Sequence, residues 1–140
     1  GLGGGLDVVN ALLPYFAAKN EGVDCLLGSV RPAPIDSVQN PVKTISDSCA
    51  LLNKSSSFTR RGRYAEPRIA ALLSSDSHEQ QIVYFGRQFQ TTDDARWRTQ
   101  QSDVPRLRKS IEAAREALGI THLLFVDGVS VIFTVALPRR

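Results

Sequence analysis

Helix-like apolar patterns alternate with short apolar runs along most of this chain. Residues 7–20, 67–74 and 103–118 place apolar side chains at helical spacing, and residues 23–30, 81–86 and 121–128 are apolar stretches of strand length. Residues 129–137 either continue the last strand or turn back as another. This alternation is typical of a three-layer, Rossmann-like α/β domain with a mainly parallel sheet, right-handed crossovers and ligands at the carboxyl ends of the strands. We predict one such domain over residues 1–140.

Local signals refine these elements. Asp7 is suited to cap the first helix, Pro14 to kink it and Gly22 to end it. Three prolines predict a loop over residues 31–41, and polar, cationic residues predict a linker or flap over 54–62. Residues 42–52 fit either a short helix or an edge strand.

Composition narrows the class of protein. The chain has 140 residues, of which 42% are hydrophobic, and this is enough for a core. Its net charge is +3, but cations and acids are interleaved except at Arg60, Arg61, Arg63 and Arg68. That cluster and Trp97, which lies between two arginines, are only weak signals of nucleic-acid binding. We therefore do not expect nucleic acid as the partner.

No apolar run approaches the roughly 20 residues that a membrane span needs. No charged segment followed by a signal-like apolar run opens the chain. We therefore expect a cytoplasmic protein with no membrane partner, and a homo-oligomer is left open. The chain has no methionine and no strand before its first glycines, so we expect it to be part of a longer natural protein.

A glycine-rich segment directly precedes the first predicted helix. Glycines let the backbone adopt positive φ and approach a ligand closely, and the free N–H groups of a first helical turn favour negative charge. We expect Gly3, Gly4 and Gly5 to hold a phosphate or another anionic group of a small molecule. The segment lacks the Gly-Lys-Ser/Thr ending of a Walker loop, and Leu6 replaces the third glycine of a dinucleotide fingerprint. A purely structural glycine turn is the alternative.

Four polar side chains are candidates for the same site. Asp7 follows the glycines, and Asn10 lies one helical turn later. Asp127 ends an apolar strand, where α/β sheets place acids that contact ligands or metals, and Glu66 begins a predicted helix. Asp7 would repel a bare phosphate, so Asp7 and Asp127 are candidate ligands of a bridging Mg²⁺. The alternatives are helix capping by Asp7 and Glu66, and a sugar hydroxyl bound by Asp7.

Other catalytic chemistries have little support. Two cysteines are too few for a zinc framework, and the strand pattern around Cys25 predicts a buried, unreactive thiol. A disulfide between Cys25 and Cys49 is not favoured. Neither His78 nor His122 has a serine or cysteine partner in a nucleophile-elbow context.

These features predict a protein that binds a phosphorylated small molecule or nucleotide-like ligand at the glycine-rich loop, with Mg²⁺. The sequence leaves open whether the protein is an enzyme, and the reaction that fits is metal-assisted phosphoryl or nucleotide chemistry. The alternative is a non-enzymatic structural or scaffold subunit in which the glycine turn is purely structural.

Three stretches resemble one family. Residues 3–12 resemble the Gly-Gly-Gly-x-Asp segment of domain of unknown function 1152, residues 63–70 its Glu-Pro segment, and residues 122–128 its strand ending in Asp-Gly. The resemblance implies an α/β protein without an assigned activity. Family members would have further glycines and a second aspartate after Asp127-Gly128, where this chain has Val129-Ser130-Val131. They are also roughly twice as long, in line with a partial chain.

Overall fold

The structure is a computed structural model that describes residues 7–31, 34–59, 64–86, 93–126 and 132–136. Four helices and eight short strands lie within these ranges. The helices are α1 (Asp7–Asn10), α2 (Leu12–Asn20), α3 (Glu66–Leu73) and α4 (Asp93–Leu118), and Ile35–Ser37 form a 3-10 turn. The strands are β1 (Leu27–Arg31), β2 (Val38–Gln39), β3 (Lys43–Ser46), β4 (Cys49–Leu52), β5 (Ser57–Phe58), β6 (Ile82–Gly86), β7 (His122–Val126) and β8 (Ile132–Ala136).

The main sheet is mixed and mostly antiparallel. Its strand order is β1-β6-β4-β3, and only β1 and β6 run parallel, with Leu27 opposite Ile82. β4 is antiparallel to both β6 and β3, and two separate antiparallel pairs, β2–β5 and β7–β8, complete the described strands. The prediction of a three-layer, Rossmann-like domain with a mainly parallel sheet is therefore wrong.

The physical reason lies in residues 42–52. They form two strands of four residues joined by a turn at Asp47 and Ser48, and so short a connection permits only antiparallel pairing. The edge-strand interpretation is confirmed for residues 42–46, which contain the edge strand β3, and the helix alternative is wrong. β7 pairs with the antiparallel β8, so the alternative in which residues 129–137 turn back as a last strand is confirmed. β7 is less buried than predicted, because Leu124 is about half exposed.

Helices cover the main sheet on both faces. α1, α2 and α3 share one buried cluster with Leu27 of β1 and Ile82 of β6. On the opposite face, α4 packs through Ala114 against Val83 and Phe85. All five residues of β6 are buried, as expected for a strand that lies between two others and is covered on both faces.

The predicted first helix is interrupted at Ala11. Pro14 has no N–H to donate to Asn10, and its ring crowds that carbonyl, so the chain turns there and restarts with Pro14 in the first turn of α2. Gly22 lies just past the end of the helix, as predicted. Gly22 has a φ of 73°, and the N–H groups of Gly22 and Val23 donate to the carbonyls of Lys19 and Ala18, which is a Schellman motif.

Other predicted boundaries shift. β1 begins at Leu27 rather than at residue 23, and α4 begins at Asp93 with Pro105 inside it, whereas the sequence predicted a start near Asp103. The predicted helix at 67–74 and strand at 81–86 are confirmed within one residue as α3 and β6. The predicted loop and linker contribute the short pair β2–β5. In the described ranges, no helix has the length and apolar character to cross a membrane.

Candidate functional site

The glycine-rich loop and one of the predicted acids cannot be placed. Gly3, Gly4, Gly5 and Asp127 lie outside the described residues. Asp7 is the first residue of α1, and its side chain is outside the described part. Elements that lead into these residues lie within the described ranges.

Three of those elements converge on one face of the main sheet. Val8 follows Asp7, Val126 precedes Asp127, and Ile69 lies one turn after Glu66. These three apolar side chains are 1%, 8% and 6% exposed and belong to the same buried cluster. Each of the three is close in sequence to one predicted acid, so the start of α1, the start of α3 and the end of β7 all contribute to one buried cluster.

Two hydrogen bonds fix the direction of α3 over the parallel pair of strands. At the end of α3 the hydroxyl of Ser74 accepts from the N–H of Gln80, just before β6, whereas at its start Glu66 accepts from Ser29, which lies farther along the β1–β6 pair. The start of α3 therefore lies toward the carboxyl ends of β1 and β6. This is the edge at which parallel strands usually present ligand sites, and β1–β6 is the parallel pair of the described sheet.

A buried carboxyl group lies at that end of the fold. Glu66 begins α3 and has no exposed surface, and its Oε1 accepts a hydrogen bond of 2.6 Å from the hydroxyl of Ser29 on β1. Ser29 is itself 1% exposed and faces α3 because side chains alternate along β1 from Leu27. A carboxyl group at a helix start is favoured by the helix dipole, which offsets part of the cost of burial. The pair fastens the start of α3 to β1.

The predicted site residues thus differ in where they lie. Asn10 is exposed at the end of α1, whereas Glu66 is completely buried. Ser29 was not among the residues predicted from the sequence. A signal was present, since Ser29 is a hydroxyl residue next to Val30 and two places after Leu27, but nothing in the sequence connects it to Glu66.

Aromatic rings pack beside the start of α3. Tyr64 stacks on Phe58 of β5 with ring centroids 3.9 Å apart, and Phe58 lies 5.3 Å from the ring of Tyr84 on β6. This stack links the β2–β5 pair to the segment that enters α3. Of the arginine cluster, Arg60, Arg61 and Arg63 lie between the two stacked residues in sequence and outside the described residues; Arg68 is exposed on α3.

A second buried polar group lies at the opposite end of α3. The hydroxyl of Tyr15 donates to Oε1 of Gln80 at 2.7 Å, and the Gln80 side chain in turn donates to the carbonyl of Gln81. Burial raises the pKa of Tyr15 above its ordinary value, with smaller contributions from Cys25 and Asp24. A neutral, hydrogen-bonded tyrosine joins α2 to the start of β6, and we assign it a structural role.

Both cysteines are free thiols with no sign of activation. Burial is the main cause that raises the pKa of Cys25, while Lys19 lowers it and Asp24 raises it to lesser degrees. Burial raises the pKa of Cys49 to about 12. A nucleophilic cysteine needs a lowered pKa, so neither thiol has the environment of a catalytic nucleophile. Cys25 is half-buried before β1 rather than within a strand.

The remaining candidates are dispersed. His78 is exposed in the turn after α3, and His122 is exposed at the start of β7 beside the hydroxyl of Thr121. The side chain of Trp97 lies outside the described part. Within that part, no group of three or more histidine, cysteine, aspartate or glutamate side chains is arranged to hold a metal ion.

No protein-family model, curated protein or solved structure matches this chain.

Proposed function

We propose that this protein binds a phosphorylated small molecule or nucleotide-like ligand where α1 begins, with Mg²⁺ held by Asp7 and Asp127. The observation that carries the proposal is the single buried cluster that contains Val8, Ile69 and Val126. It supports a site at which the glycine-rich loop, the start of α3 and the end of β7 approach one another. We also propose that the chain is related to domain of unknown function 1152, a family without an assigned activity.

Each group has a distinct part in this proposal. Backbone N–H groups of Gly3, Gly4 and Gly5 bind the anion, and the Mg²⁺ offsets the repulsion between Asp7 and phosphate oxygens. Glu66 has an indirect part in this proposal, because it has no exposed area and accepts the Ser29 hydrogen bond. Its contribution is to hold the start of α3 in place.

Ligand-dependent thermal unfolding tests the proposal. Inorganic phosphate, sugar phosphates and nucleotides are compared with and without Mg²⁺. A ligand at a hundred times its dissociation constant stabilises a protein by about 2.7 kcal/mol, which corresponds to a rise of roughly 5–10 °C in Tm for a chain of this size. Gly4→Val should abolish the shift, and Asp7→Asn and Asp127→Asn should abolish its dependence on Mg²⁺. Asp36→Asn, an exposed acid on the 3-10 turn, is the matched control and should retain both.

A structural or scaffold subunit is the second candidate. Complete burial of Glu66 and its hydrogen bond with Ser29 favour it, because that carboxyl group then serves packing alone. This candidate predicts no thermal response to any anion, and no change in stability when Asp7 and Asp127 are both changed to asparagine. The absence of a shift across the whole panel would reject ligand binding in its favour.

A further inference from the structure

Three aromatic rings lead from the core to the surface beside the start of α3. Tyr84 of β6 has no exposed surface, Phe58 of β5 packs against it, and Tyr64 stacks on Phe58 with an angle of 10° between the ring planes. Phe58 and Tyr64 are both partly exposed. We call Tyr84, Phe58 and Tyr64 the aromatic ladder, and its outermost ring is that of Tyr64.

The aromatic ladder lies beside the buried carboxyl group of the candidate site. Tyr84 is opposite Ser29 in the parallel pairing of β6 with β1, and it faces α3 because it lies two residues after Ile82, which packs against that helix. Ser29 donates to Glu66, and Tyr64 precedes Glu66 by two residues. The outermost ring is therefore held at the start of α3, toward the carboxyl ends of β1 and β6.

The backbone around Tyr64 is also fixed. Ala65 already has helical angles, with a φ of −87° and a ψ of −19°, and its carbonyl accepts from the N–H of Ile69. Tyr64 thus directly precedes a helical turn that the Ser29–Glu66 hydrogen bond ties to β1. A ring held in this way loses little conformational freedom when a ligand binds, and this favours affinity.

A cation lies in the first turn of the same helix. Arg68 is exposed and follows Tyr64 by four residues. The helix dipole disfavours positive charge at a helix start, so this position becomes favourable when an anion is close to it. Guanidinium groups also match the geometry of phosphate oxygens. An aromatic ring and an arginine at one helix start are complementary to a nucleotide, which has both a base and a phosphate.

We propose that the ligand of the candidate site is a nucleotide whose base stacks on the ring of Tyr64 and extends the aromatic ladder. This inference rests on the proposed function, in which the glycine-rich loop binds the phosphate. It narrows the class of ligand, because a sugar phosphate has no base to place on the ring. Every base has a π-face, so the contact selects nucleotides over sugar phosphates with little preference among bases.

Calorimetric titration of the full chain in the presence of Mg²⁺ tests the stack. The probes are adenosine monophosphate, ribose phosphate and adenosine. Stacking should make adenosine monophosphate bind about fivefold to 150-fold more tightly than ribose phosphate. Tyr64→Leu keeps an apolar contact with Phe58 but has no ring, so it should remove this difference. Phe16→Ala is the matched control, because Phe16 is 47% exposed on α2 and outside the aromatic ladder, and this variant should retain the difference.

Adenosine separates this inference from the proposed function. It has a base but no phosphate, so Tyr64→Leu should weaken its binding and Gly4→Val should not. Equal affinities of the unmodified chain for adenosine monophosphate and ribose phosphate would overturn the stack and leave the phosphate site standing. Binding of adenosine without binding of ribose phosphate would reject the phosphate site and keep the stack. The absence of binding by all three probes would reject both.

Nuclear magnetic resonance decides the case if Tyr64→Leu fails to fold. Protons of a base that lies over an aromatic ring shift upfield, so the base protons of adenosine monophosphate should shift upfield when they bind the unmodified chain. Tyr64→Phe keeps the ring and should give the same shift. Saturation of the unmodified chain without an upfield shift of these protons would overturn the stack.

Discussion

Among the described residues, Glu66 is the acid that lies inside the core. Its carboxyl group is fully buried, and the hydroxyl of Ser29 donates to it at 2.6 Å. Removing a hydrogen bond from a buried carboxyl group costs about 2 kcal/mol, so Ser29→Ala should lower the free energy of unfolding by about that amount. Urea denaturation measures it.

A second hydroxyl provides the control. Ser57 also donates to a side chain, Gln39, but is exposed, and Ser57→Ala should change stability by less than about 0.5 kcal/mol. Equal effects of Ser29→Ala and Ser57→Ala would contradict the view that burial makes the Ser29–Glu66 contact important.

Cys49 makes stability depend on alkaline pH. Burial raises the pKa of its thiol from 9.0 to about 12, so the folded chain keeps the proton after the unfolded chain has lost it. The resulting stabilisation is complete below pH 9 and is lost progressively as the pH rises from about 9 to about 12. Cys49→Ala should therefore lose less stability than the unmodified chain between pH 8 and pH 10.5. Urea unfolding at the two pH values measures it, and parallel losses would show that this thiol contributes nothing.

At the level of elements, the end of α2 requires a residue that can adopt a positive φ. Gly22 ends α2 with a φ of 73°, a conformation that costs an L-residue about 1–2 kcal/mol. Gly22→Ala should lower stability by about 1 kcal/mol although a new Cβ would meet nothing within 4 Å. Gly28→Ala is the control, since Gly28 has no positive φ and its nearest contact would be an ordinary 3.8 Å. Thermal unfolding that ranks the two variants in reverse would refute this reasoning.

Elements with strong local signals were predicted well from the sequence. α3 has Pro67 in its first turn, and β6 is a continuous apolar run, so both appear where expected. α4 was predicted only in part because Pro105 marks a helix start locally, whereas the helix continues through it. Strand pairing could not be predicted, because whether β6 neighbours β1, β4 or both depends on contacts between distant segments.

For the molecule as a whole, the sheet order predicts an uneven distribution of stability. β6 is paired on both sides and buried throughout, whereas β2 and β5 pair over only two residues each. Native-state hydrogen exchange should find the slowest amides in β6, with protection close to that of global unfolding, and the fastest strand amides in β2 and β5. Equal protection across these strands would contradict this ranking.

The candidate site was predictable only as residue types. The sequence identified Glu66 as a helix start near the site, but it did not predict complete burial or the partner Ser29, because both depend on α3 packing against β1. Conversely, the sequence predicted the helix over residues 7–20 but not which of its apolar side chains are exposed, such as Leu13 at 80%. The surrounding fold decides which sides of a helix are buried.

The pairing of β1 with β6 has a consequence for synthesis of the chain. β1 has no parallel neighbour in the described sheet until β6 emerges from the ribosome, after the β3–β4 hairpin and α3 have been made. Contacts between such distant segments form slowly. During that interval the apolar side chains of α1 and α2 have no completed sheet to pack against. The nascent chain should therefore depend on chaperones more before β6 is made than after it.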